Sequence, residues 1–213
     1  MQLLRTTPLS YLFPQGKQLH FDELIVSAGE MVSLKGPSGS GKSTFLHLLS
    51  GFLPLQNGKV EVIGKGALQP KKEASPDWRR KAVGFVPQRP FFWNSLTVEQ
   101  NLQMSAWAKK TDTLDSALEI CERLGLSSLL QNKPSELSTG ELQRLSIVRS
   151  TLGNAPIVLA DEPTSSLDDI NASKVLSLFH DLALAGKGIV FATHDSRASV
   201  ASHRTVLMDS LIL

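Results

Sequence analysis

The sequence holds a single cysteine, Cys121, in 213 residues, which excludes an internal disulfide and fits a reducing compartment. Cys121 shares a helical-spaced stripe with Leu114, Leu118 and Leu124, so it reads as core packing rather than as a reactive thiol. No run approaches the ~18 uninterrupted apolar residues that a spanning helix needs. Residues 1–14 show no basic region followed by an apolar stretch, so the chain is not expected to cross a membrane by itself. A dominant charge sign is also missing, the formal net charge being +2, which gives no general attraction to nucleic acid or anionic lipid. The local basic runs Lys71-Lys72 and Arg79-Arg80-Lys81 read as solvated surface. Internal repeats and low-complexity tracts are absent too, and 41% hydrophobic with 20% charged residues is a globular balance.

What is present alternates between two patterns. β-type stretches lie at residues 19–26, 31–35 and 59–63, the last after an Asn57-Gly58 turn signal. Short apolar runs at 83–86, 157–160, 188–192 and 205–208 suit strands buried on both faces of a parallel sheet. Residues 42–51 have the leucine spacing of a helix closed by glycine. From about 91 to 152 helical spacing replaces the β-type runs, with amphipathic stretches ended by Gly125 and Gly153. The expected fold is a three-layer α/β core with a β-rich edge and a helical insertion, in one unit: residues 1–88 and 153–213 form the core and 89–152 the helical part.

Gly36-Pro37-Ser38-Gly39-Ser40-Gly41-Lys42-Ser43 satisfies G-x-x-x-x-G-K-[ST] between a predicted strand and a predicted helix that Thr44 begins. Glycines let backbone N–H groups wrap a phosphate, Lys42 adds a cation, and Ser43 can hold Mg²⁺. The run Ile157-Val158-Leu159-Ala160 ends in Asp161-Glu162, so a sheet would carry both carboxylates to the edge where the phosphate loop lies. In phosphate-loop ATPases the strand-end acid, here Asp161, steadies Mg²⁺, and the next, Glu162, polarises a water.

Leu137-Ser138-Thr139-Gly140-Glu141, followed by Gln143-Arg144 and Arg149, resembles the LSGGQ signature of the ABC ATPase family and the helix after it. Thr139 and Glu141 depart from that pattern. Ser138 and Glu141 also have capping-box spacing. The other landmarks follow in the family's order. Gln88, after Pro87, resembles the Q-loop glutamine that reaches the metal and the attacking water. Ser165-Ser166-Leu167-Asp168 is similar to the D-loop that touches the opposite subunit. His194 is similar to the switch histidine at the γ-phosphate. Phe13 stands where the family's adenine-stacking aromatic is found, with Tyr11 as competitor.

The resemblance implies a phosphate-loop, RecA-like ATPase fold and an ABC transporter ATP-binding subunit that hydrolyses ATP with Mg²⁺. Its catalytic residues would be Glu162, His194, Gln88 and Lys42, and its metal ligands Ser43, Gln88 and Asp161. Nucleotide would lie on Phe13, the loop from Gly36 to Thr44 and, across a dimer with a like or different ABC ATPase subunit, Ser138, Gly140 and Asp168. The further partner would be a transmembrane permease, docked near Phe91-Phe92-Trp93, placing the chain peripherally on the cytoplasmic face of the inner membrane; nucleic acid is not expected as a partner. The stretch Leu159 to Thr164 is similar to subunits of lipoprotein-releasing and related export systems. A carboxylate at Glu141 would repel the partner's triphosphate unless turned back into the capping box.

Overall fold

The computed structural model describes residues 1–208; the last five residues of the expected core segment lie outside them. The chain opens with β1 (Gln2–Thr6), β2 (Leu9–Leu12), β3 (Gln18–Phe21), β4 (Ile25–Ser27) and β5 (Met31–Lys35). It continues through α1 (Lys42–Ser50), β6 (Val60–Val62), β7 (Gly66–Leu68), α2 (Pro76–Ala82) and β8 (Val83–Val86). Then come α3 (Val98–Lys109), α4 (Leu114–Arg123) and α5 (Thr139–Thr151), with two short 3₁₀ turns between the last pair. The final elements are β9 (Ile157–Asp161), α6 (Asp169–Leu184), β10 (Gly188–Ala192), α7 (Ser196–Ala201) and β11 (Arg204–Leu207).

A five-stranded sheet in the order β11-β5-β10-β9-β8 is parallel throughout. Its central strands feed two apolar clusters by simple alternation, because successive side chains point to opposite faces. Ile157, Leu159, Val190, Ala192, Val32 and Leu34 pack with α1 and the β-rich edge. Val158, Ala160, Ile189, Phe191 and Met31 pack with residues of α3, α4, α5 and α6. Each large side chain buried this way contributes about 1.5–3 kcal/mol. The mixed α/β architecture read from the sequence is therefore present, and the helices of residues 89–152 share a core with one face of the sheet. Cys121 is fully buried in that core, and burial pushes its thiol up to about 11.

The β-rich edge is a four-stranded antiparallel sheet, β4-β1-β6-β7, plus a separate β2-β3 hairpin. Several expectations need correction here. The single strand at 19–26 is two, because Leu24 leaves the ladder and exchanges hydrogen bonds with Thr6 through its N–H and C=O. The run at 205–208 is an edge strand with mostly exposed residues, not one buried on both faces. Arg79 and Arg80 are not simply solvated: they donate to the carbonyls of Ala74 and Lys109, whereas Lys71 and Lys72 are exposed as expected. The helices α2 and α6 lie outside the elements read from the sequence, although Ser75-Pro76-Asp77 is a strong start signal: Ser75 accepts from the Trp78 N–H and Pro76 takes the first turn.

The contact between β8 and α5 is close enough to test. A Cβ on Gly84 would stand 2.2 Å from the Ser150 carbonyl oxygen, a backbone atom that cannot swing aside. Gly84→Ala should cost about 1–3 kcal/mol. At about 2–4 °C per kcal/mol for a chain of this size, calorimetry should record a clearly lowered Tm; an unchanged Tm would show that strand and helix separate freely.

Candidate functional site

Four neighbouring parallel strands end side by side, and each delivers one part of the site from its carboxyl edge. After β5 comes the loop 36–41, after β10 His194, at the end of β9 Asp161 and Glu162, and after β8 Gln88. Together with the hairpin tip they line one cavity of about 680 Å³, walled by Ser38, Gly39, Gly41, Lys42, Ser43, Thr44, Gln88, Asp161, Glu162 and His194 on one side and Phe13, Gln15, Lys17 and Leu19 on the other. The volume falls within the range of small-ligand sites.

The loop folds as its composition requires. Gly39 and Gly41 take φ of +80° and +94°, conformations open to glycine without penalty. At Gly41 a Cβ would also strike Leu19 Cδ1 at 2.6 Å. The backbone then turns directly into α1, whose amino end presents free N–H groups and the positive end of the helix dipole. Lys42 folds back over the loop, its ammonium donating to the carbonyls of Gly36 (2.9 Å) and Pro37 (3.1 Å) and to His194 Nε2 (3.0 Å). Gly36 and Pro37 thus stand behind the loop as acceptors, while Ser40 is buried with its hydroxyl unpartnered. Burial lowers the Lys42 pKa, opposed by the charges of Glu162 and Asp161.

Asp161 is buried at the strand end, and among the described residues no side chain or backbone group is recorded donating to its carboxylate. Glu162 leaves the strand with φ of +50°, a left-handed conformation costing a non-glycine residue roughly 1–2 kcal/mol. That turn points its carboxylate at the His194 loop, where Oε2 accepts from the His194 N–H at 3.3 Å. Burial raises the Glu162 pKa; the His194 hydrogen bond and charge and Lys42 pull it down, while Asp161 pushes it further up. Glu162 Oε1 also stands 3.6 Å from His194 Nε2, the same ring nitrogen that meets Lys42. The loop itself is pinned by Asp195, which accepts from Thr164 Oγ1 at 2.8 Å and from Arg197; the Arg197 hydrogen bonds hold its carboxyl at about 2.

A buried carboxylate without a donor, beside a hydroxyl and a glutamine, suits a divalent cation. The described residues contain no cluster of three or more acidic, histidine or cysteine ligands. Mg²⁺ here would therefore need phosphate oxygens to complete its shell, its usual mode.

At the hairpin tip, Phe13 N–H donates to the Lys17 carbonyl at 2.8 Å and Gly16 N–H to the Phe13 carbonyl at 2.9 Å. Phe13 lines the cavity, while Tyr11 meets it edge to face at 5.0 Å and lines no part of it. Ser138, Gly140 and Asp168 do not join this cavity. They gather elsewhere: a Cβ on Gly140 would touch the Ser166 carbonyl at 3.2 Å and Leu167 Cδ2 at 3.3 Å. Ser138 caps α5 in a complete capping box. Its N–H and its hydroxyl both donate to Glu141 Oε2 at 2.7 Å, and Glu141 N–H returns to Ser138 Oγ at 3.3 Å. Those hydrogen bonds from Ser138 lower the Glu141 pKa and hold its carboxylate at the amino end of α5. Asp168 caps α6 by accepting from Asn171 N–H. Gln15, Lys17 and Leu19 were not anticipated; the signal available was Pro14 and Gly16 marking a turn whose second arm must face the same side as Phe13.

The family model described as "ABC transporter" matches residues 19–165. The macrolide export ATP-binding/permease protein MacB of Photorhabdus laumondii is 33% identical over 211 residues, 96% of this chain and 33% of that protein. The probable syringafactin export ATP-binding/permease protein SyfD of Pseudomonas syringae pv. syringae is 35% identical over 188 residues, 87% of this chain and 29% of that protein. The chain thus spans about a third of the length of the curated relatives it matches. Among solved structures, the dimeric bacterial ABC transporter cassette MJ0796 superposes with a TM-score of 0.84 at 27% identity, covering 97% of this chain and 94% of that one. The same cassette in a dimeric post-hydrolysis state bound to ADP and Pi gives 0.84 as well. With the family model covering well over half of the sequence and the relatives covering nearly all of it, the chain belongs to the ABC transporter family.

Proposed function

We propose that this chain binds and hydrolyses ATP as the cassette of an ABC transporter, paired with a second ABC ATPase subunit and docked on a transmembrane permease. The observation that carries this reading is the convergence of Lys42, Ser43, Asp161, Glu162, Gln88 and His194 on one cavity from four adjacent strand ends. Phe13 offers a ring for the adenine, and loop 36–44 a cradle for the β- and γ-phosphates. Ser43, Asp161 and Gln88 would hold Mg²⁺, which when bound supplies charge neutralisation between the phosphates. Glu162 accepts a proton from the attacking water as the new P–O bond forms and the bond to the β-phosphate oxygen breaks. His194 and Lys42, already paired with each other, are placed to receive the γ-phosphate.

The signature residues support pairing. Ser138 and Gly140 line no part of their own chain's cavity, so they serve the mate's nucleotide, as the dimeric cassettes of similar fold suggest. For the membrane partner, a second cleft of about 730 Å³ lies away from the phosphate loop, with an apolar floor including Leu53 and Phe85 and a rim carrying Arg80, Lys109 and Arg149 but no acid. Burial, then Arg149 and Lys187, bring the Lys109 pKa down to about 8; a carboxylate on an incoming segment would relieve that crowding. Beside it, Phe91 and Trp93 are exposed as the sequence reading held, but Phe92 is not: it is buried beneath the Arg149 guanidinium, 4.2 Å away. The proposed attachment is peripheral, at the cytoplasmic face, through the permease; no helix among the described residues is long and apolar enough to cross a membrane. The MacB and SyfD relatives are export proteins, which favours an export system.

Glu162→Gln should abolish steady-state turnover while nucleotide still binds and still drives pairing; continued phosphate release by this variant would remove Glu162 from the proton-accepting role. Because the working form is deprotonated and burial raises the pKa, the rate of the wild type should rise with pH along a limb centred above the ordinary glutamate value of 4.5. A limb centred at or below it would contradict the burial argument. Glu141→Gln should leave hydrolysis unchanged or faster, since the capping box already restrains the charge; a tenfold fall, about 1.4 kcal/mol of barrier, would refute the repulsion argument. Phe52, 56% exposed at the cleft, tests the dock: Phe52→Asp should end co-purification with the membrane partner in mild detergent, and undiminished co-purification would place that partner elsewhere.

A further inference from the structure

Resting on the nucleotide reading above, we infer that Lys17 is a positioning residue that grips the α-phosphate and ties the base platform to the phosphate loop. In the β2-β3 hairpin the register pairs Leu12 with Gln18, so the next pair outward is Phe13 with Lys17. Directly opposed residues of an antiparallel pair project to the same face. Phe13 and Lys17 accordingly line the same cavity, with the chain reversing through Gly16 at φ of +88°. From that position the Lys17 ammonium crosses to the phosphate loop and donates to the Gly39 carbonyl at 3.1 Å.

That contact joins two walls that a nucleotide would also join. A base on Phe13 and terminal phosphates over Lys42 and Ser43 leave the ribose and α-phosphate in the span between, the span that Lys17 bridges. Among the described residues no carboxylate pairs with Lys17, and one neutral carbonyl is a weak partner for an ammonium compared with a phosphate oxygen. The ammonium therefore exchanges Gly39 for the α-phosphate when nucleotide enters. Lys42 cannot substitute for it, because its own three contacts anchor it at the opposite end of the loop.

The test is equilibrium titration of the whole chain with fluorescent ADP and with ATP. Lys17→Gln should weaken both by about tenfold or more, equivalent to about 1.4 kcal/mol of affinity, and by the same factor, since both carry the α-phosphate. Lys17→Arg should restore most of the affinity, and Lys72→Gln, an exposed lysine outside the cavity, should match the wild type. Nucleotide-free Lys17→Gln should melt with the wild type, because the Gly39 contact is a single exposed hydrogen bond. Affinity of Lys17→Gln within twofold of wild type, a loss confined to ATP, or a loss that Lys17→Arg fails to restore would each overturn the assignment. Failure of the wild type to bind ADP at all would instead overturn the nucleotide reading, and this assignment with it.

Discussion

Parallel pairing of β5, β10, β9 and β8 is the constraint on which the rest depends. Strands that run the same way end at the same edge, and each turn that leaves the edge carries a different chemical group. The register then sets which groups meet: Ala192 pairs with Asp161, and the N–H of Glu162 continues that pairing onto the Ala192 carbonyl. His194, two residues beyond Ala192, is thereby held opposite Glu162. A one-residue slip would turn every side chain of a strand to the other face. In β9 that slip would exchange Ile157 and Leu159 with Val158 and Ala160 between two packed clusters and would move Asp161 out of its pairing with Ala192.

The same sheet joins the helical part to the site. β8 carries Gln88 into the cavity, and the loop that follows reaches the aromatics at 91–93. There Arg149, from the last turn of the helix that Ser138 begins, donates to the Phe91 carbonyl at 2.6 Å and lies over Phe92. Burial brings the Arg149 pKa down to about 10, still a cation at neutral pH. Lys109 ties the end of α3 to the carboxyl end of α5 through the carbonyls of Arg149 and Leu152. A continuous set of contacts thus runs from the cavity wall, past the cleft proposed for the membrane partner, to the signature helix. The contacts are cationic groups on backbone carbonyls, so they hold elements together without neutralising the charge that faces the cleft.

Much of this was legible in the sequence because the chemistry is local. The phosphate loop needs its glycines and lysine in one contiguous string, and Asp161-Glu162 follow an apolar run whose length marks a buried strand. The strands at 31–35, 83–86 and 188–192 were readable for the same reason, and α1 was closed by Gly51 as its spacing implied. What escaped was set by partners distant in sequence. The break at Leu24 comes from Thr6, and the exposure of β11 follows from its place at the sheet edge. Arg79 and Arg80 are drawn inward by carbonyls of other segments. Lys17 enters the cavity only because a hairpin folds it opposite Phe13. The departure at Glu141 is an electrostatic hazard by residue type, and the capping box tempers it: the carboxylate takes two donors from Ser138.

Ser138, Gly140 and Asp168 stand outside the cavity that gathers Phe13, Lys42, Ser43, Gln88, Asp161, Glu162 and His194, so under the proposed pairing one copy would present an incomplete centre. The most direct measurement is the specific ATPase rate as a function of catalytic-subunit concentration, followed alongside sedimentation in saturating Mg-ATP. A shared centre requires specific activity to rise with concentration and to track the paired species. A specific activity that stays flat while the molecule sediments as a monomer would contradict it.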